Sequence, residues 1–259
     1  MKSIMSVNVD KFRQVQSLDF YNIIKEKIDG CEIFFNINNE EEVKYVKDLI
    51  FYFNRDNFYF QFHGDSELPM EKQKEYLNLI NSFYRNYKIN IVMHVLTRDT
   101  IEESINNTTV YIDELEEYID ENNLNITLSL ENLNSVTYLK RLSKNYLYPI
   151  LYNNDNLLFT YDIGHEIEEY GELTDLQEIE IERLNNIHIH TFKNVIDHLP
   201  IYEKDEHLTI LAKSILYLKK INYDGTIVYE YDLYECNGDT IEEKILGYID
   251  SMLFFKNYY

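Results

Sequence analysis

The residues of this chain best suited to chemistry stand at the ends of short apolar runs. The run Leu157-Leu158-Phe159-Thr160-Tyr161 ends in Asp162, followed by Ile163, Gly164 and His165. An acid and an imidazole three residues apart, where a strand gives way to a loop, can reach one small volume. Such a pair suits a divalent metal or a proton transfer. Taken alone, Asp162 reads equally well as the N-cap of a short helix beginning near Gly164.

The same ending recurs along the chain. The runs 58–63 and 90–94 end in His63 and His94, the runs 125–131 and 226–230 in Glu131 and Glu230, and the run 187–191 carries His188 and His190. His198 follows in the next loop. Of the seven histidines, only His207 lies away from strand ends and the loops directly after them. Each residue singly has a plain structural reading. Glu131 could cap a turn at Asn132 and Asn134, and His190 shares a face with His188 only if their strand stays regular. Together, His63, His94, Glu131, Asp162, His165, His188, His190, His198 and Glu230 make a metal cluster the better reading. Mixed imidazole and carboxylate ligands suit Mn, Zn, Co or Fe, whereas calcium and magnesium prefer oxygen shells. Glu131, Asp162, His188 and Glu230 form a core site from four consecutive strands, and His63, His94, His190 and His198 are available as additional ligands.

Strand-like and helical patterns alternate in the elements that must position these residues. Strands are expected over 2–9, 31–36, 58–63, 90–94, 125–131, 157–162, 187–191 and 226–230. Helices are expected over 20–28, 40–53, 70–87, 99–122, 136–151, 173–184, 208–221 and 241–255, with a long loop at 192–207. Units recurring roughly every 30 residues are the grammar of parallel βα folds. An open sheet gathers its ligands from the few strands at a switch point, whereas a barrel delivers every strand end to one mouth. Strands three to eight all carry His, Asp or Glu at or near their ends, so we expect an α/β fold, a (β/α)8 barrel, as a single domain over residues 1–259. With 3 prolines and 7 glycines there is no linker to divide it.

The net charge of −22 disfavours a nucleic-acid partner, because that affinity comes from neutralising phosphates. It disfavours anionic membrane surfaces for the same reason. No run approaches the ~20 apolar residues of a membrane span, and no secretory leader is apparent. Cys31 and Cys236 follow no metal-binding spacing, and a soluble cytoplasmic protein with reduced thiols is expected.

The chain resembles the xylose isomerase-like TIM barrels, the superfamily of sugar phosphate isomerases/epimerases and apurinic-site endonucleases. The resemblance runs over nearly the whole chain from the third strand. It is carried by Phe-Gln-Phe-His63, Ile-Val-Met-His94, Ser-Leu-Glu131-Asn, Tyr-Asp162-Ile-Gly-His165, Ile-His188-Ile-His190, Asp197-His198-Leu-Pro and Ile-Val-Tyr-Glu230-Tyr-Asp. It implies a divalent metal held by Glu131, Asp162, His188 and Glu230, and favours His188 over His190 as the ligand.

In the isomerase/epimerase branch, Glu131 and Glu230 would also be the acid/base pair, with a metal-stabilised enediolate, and His165 would orient a substrate hydroxyl. The endonuclease branch uses three metals, and this chain keeps most of that ligand set. It departs where Ile196 stands in place of an aspartate; the adjacent Asp197 is expected to point elsewhere. Tyr202-Glu203-Lys204 also replaces the usual Gly-Glu-Gly. Arg98 and Lys193 are the best candidates to contact an anionic substrate. The expected function is metal-dependent isomerisation or epimerisation of a small carbohydrate: a sugar, sugar phosphate or polyol. A multi-zinc phosphodiester hydrolase and a non-catalytic ligand-binding barrel are the alternatives.

Overall fold

The computed structural model describes residues 1–15, 21–22, 25–53, 58–83, 86–133, 144–171, 181–194 and 196–259. Eight strands pair in parallel and close on themselves: β1 (Lys2–Asn8), β2 (Gly30–Phe34), β3 (Tyr59–His63), β4 (Ile89–Met93), β5 (Ile126–Glu131), β6 (Leu158–Asp162), β7 (Leu184–Ile189) and β10 (Thr226–Tyr229). The circular order is β1-β10-β7-β6-β5-β4-β3-β2, the closed (β/α)8 barrel that the polar strand ends imply. Between β7 and β10, β8 (Thr191–Lys193) and β9 (Ile196–Leu199) form a separate antiparallel pair.

Helices follow the strands: α1 (Val9–Phe12), α2 (Glu40–Phe53), α3 (Met70–Asn81), α4 (Ile101–Glu121), α5 (Lys144–Asn153), α6 (Ile163–Tyr170), α7 (Leu208–Lys220) and α8 (Ile241–Tyr258). Two of them start at full capping boxes, Thr100 with Glu103 and Thr240 with Glu243, which satisfy backbone N–H groups at the helix start. No described helix is long and apolar enough to cross a membrane. Cys31 and Cys236 are free thiols, both buried.

Three expectations change. The helix expected over 70–87 stops at Asn81, where the Ser82 hydroxyl donates to the Leu79 carbonyl and turns the chain. The seventh strand spans Leu184–Ile189 rather than 187–191, and the loop expected at 192–207 contains most of the β8–β9 hairpin. The helices expected over 20–28, 136–151 and 173–184 fall partly outside the described residues, as does Asn134.

Strand periodicity sorts the side chains. Glu32 of β2 contacts His188 of β7, and Asn90 of β4 contacts Asn186 of β7, although neither pair of strands is adjacent. These contacts therefore cross the lumen. Alternate residues such as Ile33, Phe62, Ile91, Leu130, Tyr161, Ile187 and Ile227 face outward and are buried beneath the helices. The core thus lies mainly between strands and helices. The lumen holds a hydrogen-bonded chain in which Asn90 Nδ2 donates to Ser129 Oγ at 3.0 Å and Ser129 Oγ meets Thr160 Oγ1 at 2.7 Å. Barrel interiors are more usually filled by Val, Ile and Leu. Gln61, Ser129, Thr160 and Asn186 stand two residues before His63, Glu131, Asp162 and His188, so the polar layer directly underlies the ring of candidate ligands.

Candidate metal centre

Asp162 closes β6 and starts α6, and its two oxygens do different things. Oδ1 accepts the His165 backbone N–H at 2.7 Å as the N-cap, whereas Oδ2 is buried without a hydrogen-bond partner. The capping and ligand readings are therefore both available to this one side chain. Asn132 fixes the adjoining backbone: its Oδ1 accepts from Asp162 N at 2.8 Å and its Nδ2 donates to Asp162 O at 2.9 Å.

The ring residues assemble into four groups whose candidate ligand atoms lie within 4.8 Å of one another, one of them Glu32 with His63 and Glu230. Glu131, Asp162, His188 and Glu230 form the core group. His188 Nδ1 lies 2.8 Å from Glu230 Oε2, 3.1 Å from Glu131 Oε1 and 4.0 Å from Asp162 Oδ2. His63, His94 and Glu131 form the second group, with Glu131 Oε2 at 3.2 Å from His63 Nε2 and 3.1 Å from His94 Nε2. His165, His190, Asp197 and His198 form the third. Asp162 joins this group to the core, because His190 Nε2 is 3.1 Å from Asp162 Oδ1. His188 and His190 thus serve different groups.

Asp197 corrects the sequence expectation. Its carboxylate approaches His190 Nδ1 at 3.1 Å and His165 Nε2 and His198 Nδ1 at 3.5 Å each. In a regular strand Asp197 and His198 would face opposite sides. His198 instead has φ +55°, in the left-handed region, and this breaks the alternation so that both side chains turn inward. Arg98 and Lys193 do not line the cavity above the core group. The Arg98 guanidinium donates to Thr97 O at 2.8 Å, and Lys193 borders a different cavity beside the hairpin. The cation that does line the cavity is Lys11, which is paired with Asp232 at 2.7 Å. No motif in the sequence marked it.

The donor set fits a divalent ion on two counts. Glu131 Oε1, Asp162 Oδ2, His165 Nε2 and His190 Nε2 are all buried without a hydrogen-bond partner, although other polar atoms lie close to them. Close approach without hydrogen-bond alignment is the geometry of ligands converging on a shared point. In addition, two outward nitrogens are held, His63 Nδ1 facing Gly64 O at 3.1 Å and His165 Nδ1 facing Asn132 O at 3.0 Å, whereas His190 Nδ1 lies between Thr191 O at 3.2 Å and Asp197 Oδ1 at 3.1 Å. A ring nitrogen facing a carbonyl carries the proton, which leaves Nε2 of His63 and His165 with a lone pair directed at the carboxylates.

The electrostatics show how strongly the charges are matched. Burial opposes the charged form throughout. The carboxylates outweigh it at His63 and His165, whose pKa values rise to about 9 through Glu131 and through Asp162 with Asp197. His188 and His190 are also driven well above the ordinary value, despite burial, by Glu32 and Glu131 and by Asp162 and Asp197. Against their own burial, Glu131 and Glu230 are held well below the usual carboxylate range, chiefly by His188. His94 moves down, through burial and the neighbouring His63. A cation would replace the protons that these histidines otherwise need.

Glu230, His63, His94, His165, Asp197 and His198 border a cavity of about 340 Å³ at the mouth of the barrel, within the range of small-molecule sites. Glu230 retains 18% exposure of its side chain, whereas Glu131 is sealed beneath the histidines.

No family model matches the chain, and no curated protein matches it by sequence. Solved structures do match it over its length. A D-tagatose 3-epimerase-like protein aligns with 100% of this chain and 97% of its own at 21% identity, TM-score 0.67. The IOLI protein with a binding zinc atom aligns over 100% and 99% at 17% identity, TM-score 0.67. A D-allulose 3-epimerase from Methylomonas sp. in complex with D-allulose aligns over 100% and 98% at 14% identity, TM-score 0.66. At these identities the likeness is one of fold, the closed (β/α)8 barrel.

Proposed function

We propose that the protein is a divalent-metal-dependent isomerase or epimerase of a small uncharged sugar or polyol. One observation carries the reading. Ligand atoms from Glu131, Asp162, His188 and Glu230 lie within 4.8 Å of one another, Glu230 borders a cavity sized for a small molecule, and Glu131 Oε1 and Asp162 Oδ2 are left unpartnered. These four residues would hold the ion. When bound, it supplies Lewis-acid stabilisation of negative charge on sugar oxygens.

The chain's own groups then divide the remaining work. Glu230, the carboxylate that reaches the cavity, moves the proton at the carbon beside the carbonyl, and Glu131 acts from the buried side. His165, held through Nδ1 by Asn132 O, turns Nε2 toward the substrate and positions a hydroxyl. An uncharged substrate fits because Lys11 is the only Lys or Arg among the described residues lining the cavity, and Asp232 neutralises it. Structures of similar fold include sugar epimerases, which supports the same class.

A phosphodiester hydrolase is the second reading. It is favoured by the way Glu131 joins the His63/His94 group to the core and Asp162 joins the core to His190. The charge of −22 and the lack of an unpaired Lys or Arg among the described residues lining the cavity weigh against it. Elemental analysis of the purified protein separates the two, one metal per chain for the isomerase and three for the hydrolase. Glu131→Gln should remove the core metal and any sugar turnover. A chain free of divalent metal, or a variant unchanged in both respects, would refute the proposal. A full metal site without turnover of any sugar would make the barrel a binding protein.

A further inference from the structure

His188 is oriented unlike the other buried histidines of the site. His63, His165 and His190 each place Nδ1 against a backbone carbonyl and present Nε2. His188 presents Nδ1 to Glu131 and Glu230, and its Nε2 points down into the lumen. There it lies 3.2 Å from Glu32 Oε2 and 3.2 Å from Asn186 Nδ2, and of the two only the carboxylate oxygen can accept its proton.

Glu32 is fully buried on β2, across the lumen from β7. Gln61 Nε2 donates to the same Oε2 at 2.6 Å and fixes the carboxylate, while Oε1 has no partner. A buried carboxylate held by a single amide is costly, and removing its water is not offset by one neutral hydrogen bond. It becomes favourable when it accepts a proton from an imidazole whose other nitrogen is bound to a cation.

We infer that Glu32 is the positioning carboxylate of the metal centre: it accepts the Nε2 proton of His188, fixes the ring with Nδ1 toward the core group, and strengthens Nδ1 as a donor. The inference rests on the core group being a metal site, as proposed above. It assigns Glu32 no contact with substrate. It also accounts for Gln61 in the lumen, which holds the residue that holds His188. Glu32 also comes within 4.8 Å of candidate ligand atoms of His63 and Glu230, so the test must separate positioning from direct ligation.

The test uses metal binding by the full-length protein, with zinc and cobalt(II) as probes. Competition with a chromophoric chelator should show the core site of Glu32→Gln binding about 10–100-fold more weakly than the unsubstituted protein. Glu32→Asp, which keeps the charge but falls one methylene short, should give an intermediate loss. At saturating cobalt, Glu32→Gln should hold as many ions per chain as the unsubstituted protein, with visible bands of the same intensity, because no ligand is lost. Removing one partner of the buried Glu32–His188 pair should also lower the melting point of the metal-free protein. The readout that separates the roles is therefore affinity: a purely structural residue would lower the melting point and leave metal affinity unchanged.

Unchanged affinity would overturn the inference. So would the loss of one cobalt per chain, which would make Glu32 a ligand. If the unsubstituted protein binds no divalent ion, the functional proposal fails with it. If the parent binds and Glu32→Gln binds equally well, only the role of Glu32 fails.

Discussion

Gly164→Ala sets helix propensity against packing, and the structure decides the sign. Gly164 lies in the first turn of α6, where alanine would favour the helix by about 1 kcal/mol. A Cβ built there, however, falls 2.3 Å from Cε1, 2.4 Å from Nε2 and 2.6 Å from Nδ1 of His190. Carbon atoms settle at about 3.5–4.0 Å, so the ring must retreat by about 1 Å or more. It has nowhere to go. His190 is fully buried, stacked on His198 at 4.3 Å between ring centres and held between Asp162 and Asp197.

Overpacking costs about 1–3 kcal/mol and loss of a buried polar contact about as much again, so the net effect is a loss of about 1–5 kcal/mol. For a chain of this size the metal-free protein should melt at least about 2–4 °C lower. Differential scanning calorimetry after chelation measures this directly. If the protein carries a metal in the His165/His190/Asp197/His198 group, that ion should be lost while the core ion remains. A metal-free variant that melts at or above the parent would refute the reasoning, because propensity would then have outweighed the clash.

The metal-free protein should also lose stability as pH rises. The raised pKa values of His63, His165, His188 and His190 contribute stability that is complete below about pH 6.5. That stability is lost as pH rises through the folded values, about 9 for His63 and His165. The depressed Glu131 and Glu230 act at the other end: their contribution is present above about pH 4.3 and is lost as pH falls toward their folded values. His94, shifted down, works against stability below its ordinary value but is outnumbered. Melting temperature should therefore fall between about pH 6.5 and 9, and saturating zinc should flatten that limb; a rise over this interval in the metal-free protein would contradict the assignment. Thr100→Ala removes a cap remote from the site and should cost about 0.5–2 kcal/mol by chemical denaturation, with metal content unchanged.

Much of the barrel was legible in the sequence because its signals are local. Apolar runs of strand length recur between helical patterns, and Thr100 with Glu103 announces a helix start. The ends of those runs, His63, His94, Glu131, Asp162, His188 and Glu230, named most of the ring, because closing parallel strands into a barrel brings their C-terminal ends to one mouth. Sequence also left Asp162 with two readings, cap or ligand; in the structure Oδ1 caps the helix, and Oδ2 is buried without a hydrogen-bond partner.

What tertiary structure alone decided depends on direction and on distant contacts. Asp197 enters the site because one backbone angle at His198 breaks the strand alternation on which sequence reasoning relied. Arg98 donates to Thr97 O and Lys193 borders a different cavity, so neither lines this one, and Lys11 takes the place beside it. The nitrogen that His165 presents is set by the carbonyl of Asn132, 33 residues away in sequence. For His188 it is set by Glu32, 156 residues away in sequence and across the lumen. Residue types and spacing specify which groups reach the mouth; only the closed barrel fixes which atom of each group faces it.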